Sequence, residues 1–390
     1  MKSIPRTALL MSAYYFFFYG AIGCLLPYLP LYYQHIGLNG EQIGLLMGLG
    51  PIVLLVSGPL WGSIGDRFNL HRWLLPIASL GALLSLGLIP LTRDYTLLIA
   101  AILFQAFFGT AIGPLMDSAA LEIAETTDTS FGQLRLGGTI GFTILSPAMG
   151  WLLTRIPLVW MFYSYMIWMS VAALIALSLP ARRHRWNASL WQGFRVLLSQ
   201  PPLAFFLAAA FLVGIAANAV LFFLPLYLTR IGGDSNTLGL AGAIAAITEI
   251  PIMVGGSRLI KRIGGVWAGV ALGTVVYVVR WVALSLAVTP LAVMLVQALH
   301  GISFGLFIIS AVAYVDSQAP PGLSATAQSL FIAAMWGVGA FTGSYGGGLV
   351  YENFGPVTLF QLCSAACFAA LGLLFVSRSA AQYAMRRNTR

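Results

Sequence analysis

The sequence has few charges and few cysteines. Of its 390 residues 8% are charged, with 20 Lys+Arg and 11 Asp+Glu, and 59% are hydrophobic. Soluble domains carry about 25% charged residues, so this composition argues against a soluble enzyme, a disordered chain and a nucleic-acid-binding protein. The cysteines, Cys24, Cys363 and Cys367, lie inside apolar runs. We interpret them as packing residues rather than metal ligands or disulfide partners.

A phosphate-binding loop is also missing. The glycine runs Gly44-Leu-Leu-Met-Gly48 and Gly343-Ser-Tyr-Gly-Gly-Gly348 do not end in the Gly-Lys-Ser/Thr of such a loop. We interpret them as places where helices pack closely. Without an ATP-binding element, the expected energy source is an ion gradient. We expect no cofactor and no bound metal, and favour protons over sodium because the buried ionisable groups suit protons.

Long apolar runs dominate the remaining sequence. A membrane-crossing helix needs about 20 apolar residues, and twelve such segments fit the chain. They lie near 8–33, 42–65, 73–92, 96–121, 131–154, 158–180, 204–228, 237–257, 266–288, 291–315, 324–350 and 357–377. The sequence therefore predicts an all-α polytopic membrane protein of twelve transmembrane helices. Residues 1–180 form one six-helix bundle, 181–203 a cytoplasmic central loop, and 204–390 the second bundle with a short cytoplasmic tail.

The basic residues predict the orientation in the membrane. Lysine and arginine concentrate at the termini, in the central loop and in two turns, whereas the opposite side carries only Arg93, Arg155 and Arg230. Positively charged loops stay in the cytoplasm, so both termini are expected there, in a multi-pass protein of the inner (plasma) membrane. We expect a monomer whose partners are the lipid bilayer, protons and a small-molecule substrate, with no nucleic acid.

The two halves of the chain repeat each other. Leu29-Pro-Leu-Tyr32, followed by Ile36-Gly37, recurs as Leu224-Pro-Leu-Tyr227, followed by Ile231-Gly232. Two six-helix halves in the same orientation resemble the parallel-repeat arrangement of the major facilitator superfamily. That resemblance implies a substrate site near the middle of the membrane between the halves, and transport by alternating access.

One turn resembles the signature G-x-x-x-D-R-x-x-x-R of that superfamily. It lies between the second and third spans and contains Gly62, Asp66, Arg67 and Arg72. Glycine lets two helices approach, and an aspartate can cap a helix end or pair with arginine, so we interpret these residues as an inward gating motif. The alternative is an ordinary basic turn on the cytoplasmic side.

Two ionisable residues lie inside the fourth and fifth spans. Asp117 and Arg135 are equally far along the chain from the polar turn that joins these spans. Ionisable groups inside a membrane are costly and mark candidate functional sites. Because equal distances from a turn mean equal depth in a helical hairpin, the two side chains can meet. The pair can bind a polar substrate, or it can be a structural ion pair.

A second group lies in the C-terminal half. Arg280 and His300 are equally far from Pro290 in the turn between spans nine and ten, and Glu249 lies near the middle of span eight. An acid, a guanidinium and an imidazole at one depth can form a proton-transfer cluster. The alternatives are structural: a helix-to-helix hydrogen bond for His300 and an ordinary buried acid for Glu249.

These residues resemble those of the lactose permease group of proton symporters. Gly132-Gln-Leu-Arg135 and Leu299-His300 are similar to that group, whereas Pro114-Leu-Met-Asp117 and Leu134-Arg-Leu-Gly-Gly138 are more similar to its phenylpropionate-permease-like relatives. The resemblance implies that Asp117 and Arg135 bind substrate.

The same resemblance implies that Glu249 takes part in both substrate binding and proton coupling, and that Arg280 and His300 serve coupling. Two positions depart from the pattern. Ser303 replaces a carboxylate expected one turn after the histidine, so Glu249 or Asp117 is the expected proton carrier. Phe142 replaces the tryptophan on which a sugar ring stacks, which weakens a galactoside assignment.

Among many aromatic residues, Tyr19 and Trp336 are the candidates for substrate contact, since the first and eleventh spans border the interface in this fold. Most membrane aromatics instead face lipid or neighbouring helices. We therefore interpret the chain as a proton-coupled symporter of an aromatic acid, nucleoside or sugar, and not as an enzyme. A drug/proton antiporter is the alternative, although Ser146-Pro-Ala-Met-Gly-Trp151 lacks two glycines of the antiporter stretch. A non-transporting receptor or a membrane enzyme is a more distant one.

Overall fold

The computed structural model describes residues 5–68, 70–127, 129–179, 190–320 and 322–388. Residues 180–189 of the central loop lie outside these ranges. The helices of the N-terminal half are α1 Arg6–Leu25, α2 Leu29–His35, α3 Gly40–Phe68, α4 His71–Leu86, α5 Tyr95–Thr126, α6 Phe131–Leu153 and α7 Trp160–Ala176. A short 3₁₀ turn, Ile89–Leu91, follows α4.

The C-terminal part contains α8 Leu190–Leu198, α9 Pro201–Arg230, α10 Ser235–Arg262, α11 Val266–Leu286, α12 Pro290–Gln297, α13 Phe307–Gln318, α14 Ser324–Ile332 and α15 Gly339–Asn388. Two π-helical turns interrupt it: Gly301–Leu306 between α12 and α13, and Ala333–Val338 between α14 and α15. Gly355, with φ +83°, breaks α15 into two helices.

The described helices account for the twelve predicted spans. Ten stretches are long and apolar enough to cross a membrane, and the last of them, Ser324–Tyr383, has 60 residues and contains the break at Gly355. The shorter apolar helix α7 supplies the remaining span. The all-α, polytopic fold class is therefore confirmed.

Local sequence signals set several helix starts. Ser130 and Gln133 form a reciprocal capping box at the start of α6, and Asp94 and Thr289 cap α5 and α12. Each cap satisfies backbone N–H groups that have no partner within the first turn of a helix. At α10, Asp234 accepts hydrogen bonds from the backbone N–H and the hydroxyl of Thr237, which lower the pKa of Asp234.

The sequence repeat is also a structural repeat. Gly37 and Gly232 have φ +95° and +92°, a conformation that favours glycine. In each repeat the isoleucine before the glycine donates its N–H to the carbonyl of the tyrosine four residues earlier. The same chain reversal therefore ends the first membrane span of each half.

The chain divides into two compact units that differ slightly from the sequence-based domains. The first unit contains Met1–Leu38, Leu49–Trp186 and Gly233–Ala243, and the second contains Asn39–Gly48, Asn187–Gly232 and Ile244–Arg390. The first turns of α3 and α10 thus each group with helices of the other half of the sequence. The division at the central loop stays a prediction.

In the first unit, α1 packs against α6 and α7, and α4 packs against α5 and α7. The approach of α1 and α6 is close because Gly141 faces backbone: a Cβ at that position would lie 2.2 Å from the Phe16 carbonyl oxygen. In the second unit α9 packs along α15, where a Cβ on Gly343 would lie 2.3 Å from the Ile215 carbonyl oxygen. The structure confirms close helix packing at the glycine-rich segments.

Candidate functional site

The acid in α5 is held by a tyrosine of α1. The Tyr15 hydroxyl donates a hydrogen bond to Asp117 Oδ1 at 2.6 Å. Tyr15 is fully buried, and its ring stacks on that of Tyr19 one turn further along α1, with centroids 6.2 Å apart. Asp117 is only partly buried. The first unit therefore presents a carboxylate whose orientation is set by a buried phenol.

Arg135 does not form the direct pair with Asp117 that the hairpin geometry predicts. Arg135 is exposed at its position on α6, and between these two described residues there is an electrostatic interaction but no hydrogen bond. Arg135 still lies within electrostatic range of both Asp117 and Tyr15. Equal depth placed the two side chains near each other, but the hydrogen bond that Asp117 makes is to Tyr15.

The other candidates of this unit lie nearby on the same helices. Tyr19 packs over Gly138 of α6, where an added Cβ would lie 2.6 Å from its ring. Phe142, one turn further along α6, lies close to Gly23 of α1 and Gly242 of α10. Both side chains are partly exposed, so their roles as substrate contacts stay predictions.

The arginine of α11 is buried in a set of neutral hydrogen-bond acceptors. Arg280 is 3% exposed; its Nη1 donates to His300 Nδ1 at 2.9 Å and to Ser303 Oγ at 3.2 Å, and its Nη2 donates to Gln297 Oε1. The guanidinium also lies over the ring of Trp281, 4.7 Å from its centroid. The structure thus brings together Arg280 and His300, as their equal distances from Pro290 predict.

This contact fixes the protonation state of the imidazole. A guanidinium can only donate hydrogen bonds, so His300 Nδ1 must be the acceptor. His300 is therefore neutral in this arrangement, with its ring proton on Nε2. Protonating Nδ1 would replace the hydrogen bond with two cations in contact.

An aromatic row extends from this cluster along the two π-helical turns. The ring of His300 stacks on Phe304 with centroids 5.1 Å apart, and Phe304 meets Trp336 edge-to-face at 5.9 Å. Phe304 belongs to the π turn Gly301–Leu306, and Trp336 belongs to the π turn Ala333–Val338. Single π turns inside helices occur frequently at functional sites.

Glu249 lies on α10 against the same π turn. A Cβ on Gly305 would lie 3.3 Å from Glu249 Cγ, and the carboxylate is within electrostatic range of Tyr277 on α11. Gly301 approaches α10 even more closely, and its N–H donates to Thr248 Oγ1 at 3.3 Å. Glu249 is therefore adjacent to the cluster of Arg280.

The predicted gating motif lies at the end of α3 and the start of α4. Arg67 and Arg72 are exposed and lie over the neighbouring rings of Phe68 and Trp73. The surroundings of Gly62 and of the Asp66 side chain lie outside what the structure describes, so the gating role stays a prediction.

Sequence reasoning missed four residues of these clusters: Tyr15, Gln297, Ser303 as a hydrogen-bond acceptor, and Phe304. Gln297 is a buried amide in an apolar span, one turn before His300, so polarity alone was a usable signal. Tyr15 lay inside an aromatic run without a feature that separates it from its neighbours.

The family follows from a comparison with known proteins. A family model described as "MFS_1 like family" matches residues 8–362. The chain belongs to this family of major facilitator superfamily permeases, and it is a multi-pass membrane transporter of small molecules rather than an enzyme.

The similarity to individual relatives covers most of the chain. It is 33% identical over 368 residues to the maltose permease of Geobacillus stearothermophilus, covering 93% of each protein. It is 24% identical over 317 residues to the probable 3-phenylpropionic acid transporter of Escherichia coli (strain K12), covering 78% of this chain and 81% of the relative. The resemblance to phenylpropionate-permease-like proteins is thereby confirmed at the level of the family.

The crystal structure of nucleoside transporter NupG has the same fold. The two superpose with a TM-score of 0.83 over 96% of this chain and 99% of the other, at 18% sequence identity. At that identity the likeness establishes the fold alone.

Proposed function

We propose that this transporter is a proton-coupled symporter of a small hydroxylated organic solute, working by alternating access. It resides in the plasma membrane as a monomer with both termini in the cytoplasm. The observation that supports proton coupling best is the hydrogen bond from Arg280 to neutral His300. Binding of a proton to His300 and retention of this bond exclude each other, so a proton arriving at the cluster changes its structure.

Three ionisable groups belong to this cluster and take part in that change. Arg280 of α11 contacts His300, and Tyr277 of α11 lies within electrostatic range of both Arg280 and Glu249 of α10. A carboxylate near an imidazole and a guanidinium can receive the proton that the imidazole cannot hold beside the cation. We assign proton carriage to Glu249, with Arg280 and His300 as its coupling partners.

For the substrate, we favour a sugar of the maltose type. The 33% identity to a maltose permease over most of both proteins supports this choice. Asp117, oriented by Tyr15 and within range of Arg135, offers the acceptor and donor groups that bind sugar hydroxyls. An aromatic acid or a nucleoside is the alternative, supported by the more distant relatives.

The substrate proposal is tested with purified protein in proteoliposomes. Maltose, nucleosides and phenylpropionate are each added outside, and entry of protons is followed with an enclosed pH dye. We expect acidification of the lumen with maltose and none with the other two. Acidification with a nucleoside or phenylpropionate alone would replace the sugar assignment, and no acidification with any accumulated solute would remove symport.

Substituting His300 separates hydrogen bonding from titration. In His300→Gln the amide oxygen can still accept from Arg280, but it does not titrate. We expect maltose binding to persist, because the acceptor for Arg280 is kept, while the pH dependence of uptake weakens, because the side chain can no longer exchange a proton with Glu249. His300→Phe, which removes the acceptor as well, is expected to lose uptake altogether. An unchanged pH profile in His300→Gln would remove His300 from coupling.

Substituting Tyr15 tests the substrate-binding role of Asp117. Tyr15→Phe keeps the stacked ring but removes the hydroxyl that orients the carboxylate. Since hydrogen bonds to charged groups contribute about 1.5–3 kcal/mol, we expect the dissociation constant for maltose to rise by about tenfold or more, measured by calorimetry. Tyr14→Phe is the matched control, because the equally buried Tyr14 hydroxyl is hydrogen-bonded to the neutral Ser79 and not to a carboxylate. Equal effects of the two changes would indicate a structural role only.

A further inference from the structure

The start of α3 is bound by a carboxylate from the other end of the sequence. The Gly40 N–H donates to Glu352 Oε2 of α15 at 2.7 Å, and the Tyr345 hydroxyl donates to Glu41 Oε1 at 3.2 Å. Between these contacts Gly44 rests on the backbone of Ser344, where a Cβ would lie 2.4 Å from the carbonyl oxygen. The name α3–α15 contact is used below for these three contacts together: Gly40 with Glu352, Glu41 with Tyr345, and Gly44 with Ser344.

Glu352 accepts a hydrogen bond from a backbone N–H that the local helix cap leaves unsatisfied. Asn39 and Gln42 cap α3 reciprocally, each side chain accepting from the other's backbone N–H. The N–H of Gly40 has no acceptor within this cap and takes the carboxylate instead. An anion at a helix N-terminus is favoured by the aligned peptide dipoles and by the charge-assisted hydrogen bond. The interaction therefore depends on Glu352 being ionised.

The charged surroundings of Glu352 come from three helices. Glu41 is the acid on α3, Tyr345 and Tyr351 are the titratable neighbours on α15, and Arg230 at the end of α9 contacts Tyr351. The start of α3 lies one membrane crossing from the N-terminus, so the predicted orientation puts this cluster on the external side. Protons from outside reach it without crossing the membrane.

We propose that Glu352 is a gating residue, whose ionised carboxylate holds the α3–α15 contact closed and whose protonation from outside releases it. A symporter gains from such a device because an acidic exterior, which drives substrate entry, would also favour opening toward that exterior. This inference rests on the proposed symport, which gives the gate its physiological role. The experiment below measures opening of the α3–α15 contact directly and needs no substrate, so either proposal can fail without the other.

Opening of the α3–α15 contact can be measured with a cysteine at position 344. Ser344 is fully buried beneath the contact, and the change from serine to cysteine is nearly isosteric. The rate at which a membrane-impermeant maleimide labels Ser344→Cys from outside reports opening, in full-length protein in proteoliposomes. The native cysteines are buried and supply the blank. Labelling of the exposed position Gln34→Cys corrects for the effect of pH on thiol reactivity.

With Glu352 present, we expect the corrected labelling rate to rise by about tenfold as the external pH falls from about 7 to about 4, because a neutral carboxyl is a weaker acceptor for the Gly40 N–H than a carboxylate. In Glu352→Gln the rate should be high at every pH, and Glu352→Asp should restore a pH dependence. Glu41→Gln, which removes a carboxylate of the same contact without touching the Gly40 amide, should behave as the parent protein. A Glu352→Gln protein that labels slowly with the parent's pH profile would overturn the proposal.

Discussion

Replacing Glu249 by glutamine is expected to abolish uphill accumulation of substrate while leaving exchange of substrate across the membrane intact. Glutamine keeps the shape of the side chain against Gly305 but cannot carry a proton between the two sides. Without that proton the cycle can return only with substrate bound. Counterflow of labelled maltose should therefore proceed, and uptake driven by a pH gradient should fall to the background rate.

The matched control for this change is Asp94→Asn. Asp94 caps α5 through the Leu97 N–H, and asparagine caps a helix about as well as aspartate. The control thus removes one negative charge at an exposed helix end without removing its hydrogen bond. Full pH-driven uptake by Glu249→Gln would exclude Glu249 as the proton carrier, and loss of uptake in both variants would point to a general effect of charge.

The second large effect is expected at Gly301, where two helices nearly touch. A Cβ at this position would lie 1.9 Å from the Thr248 carbonyl oxygen and 3.0 Å from the Glu249 nitrogen. Both neighbours are backbone atoms of α10, so relief requires the helices to separate. Overpacking of this kind costs about 1–3 kcal/mol or more. We expect Gly301→Ala to lower the thermal midpoint by several degrees and to abolish uptake by displacing Glu249.

Gly255→Ala is the control for Gly301→Ala. Gly255 also lies in α10, but a Cβ there meets no atom within 4 Å. Alanine has the higher helix propensity, so this variant should keep its thermal midpoint and its transport activity. If Gly301→Ala retained both as well, the close approach of α10 to the π turn would not be needed for function.

The depth of a side chain in the membrane was predictable from its distance along the chain to the nearest turn. Arg280 lies beside His300 as predicted, because α11 and α12 run as regular helices up to the turn at Pro290. Arg135 likewise lies near Asp117, but its distance from the turn does not determine which way each side chain points. Tyr15, on a third helix, takes the hydrogen bond that the hairpin geometry assigned to Arg135. Depth follows from counting residues, whereas the choice of partner depends on packing between helices distant in sequence.

The apolar spans and the repeat were predictable because length and hydrophobicity determine which segments cross a membrane. Interruptions of the helices inside these spans were not predictable. The break at Gly355 falls between the predicted spans 324–350 and 357–377, but the first predicted span, 8–33, is two helices, α1 and α2, and the predicted span 324–350 contains the π turn Ala333–Val338. The contribution of Phe304 to the aromatic row was missed for the same reason, since hydropathy does not reveal a π turn.

The π turn at Gly301–Leu306 also determines which side chains of α13 face α11. A π turn holds about one residue more than an α turn, which is the local result of inserting a single residue into a helix. Every side chain of α13 is thereby rotated by about 100° relative to an uninterrupted continuation of α12. Deletion of one residue from this segment is therefore expected to restore an α-helical turn and to present a different set of α13 side chains to α11.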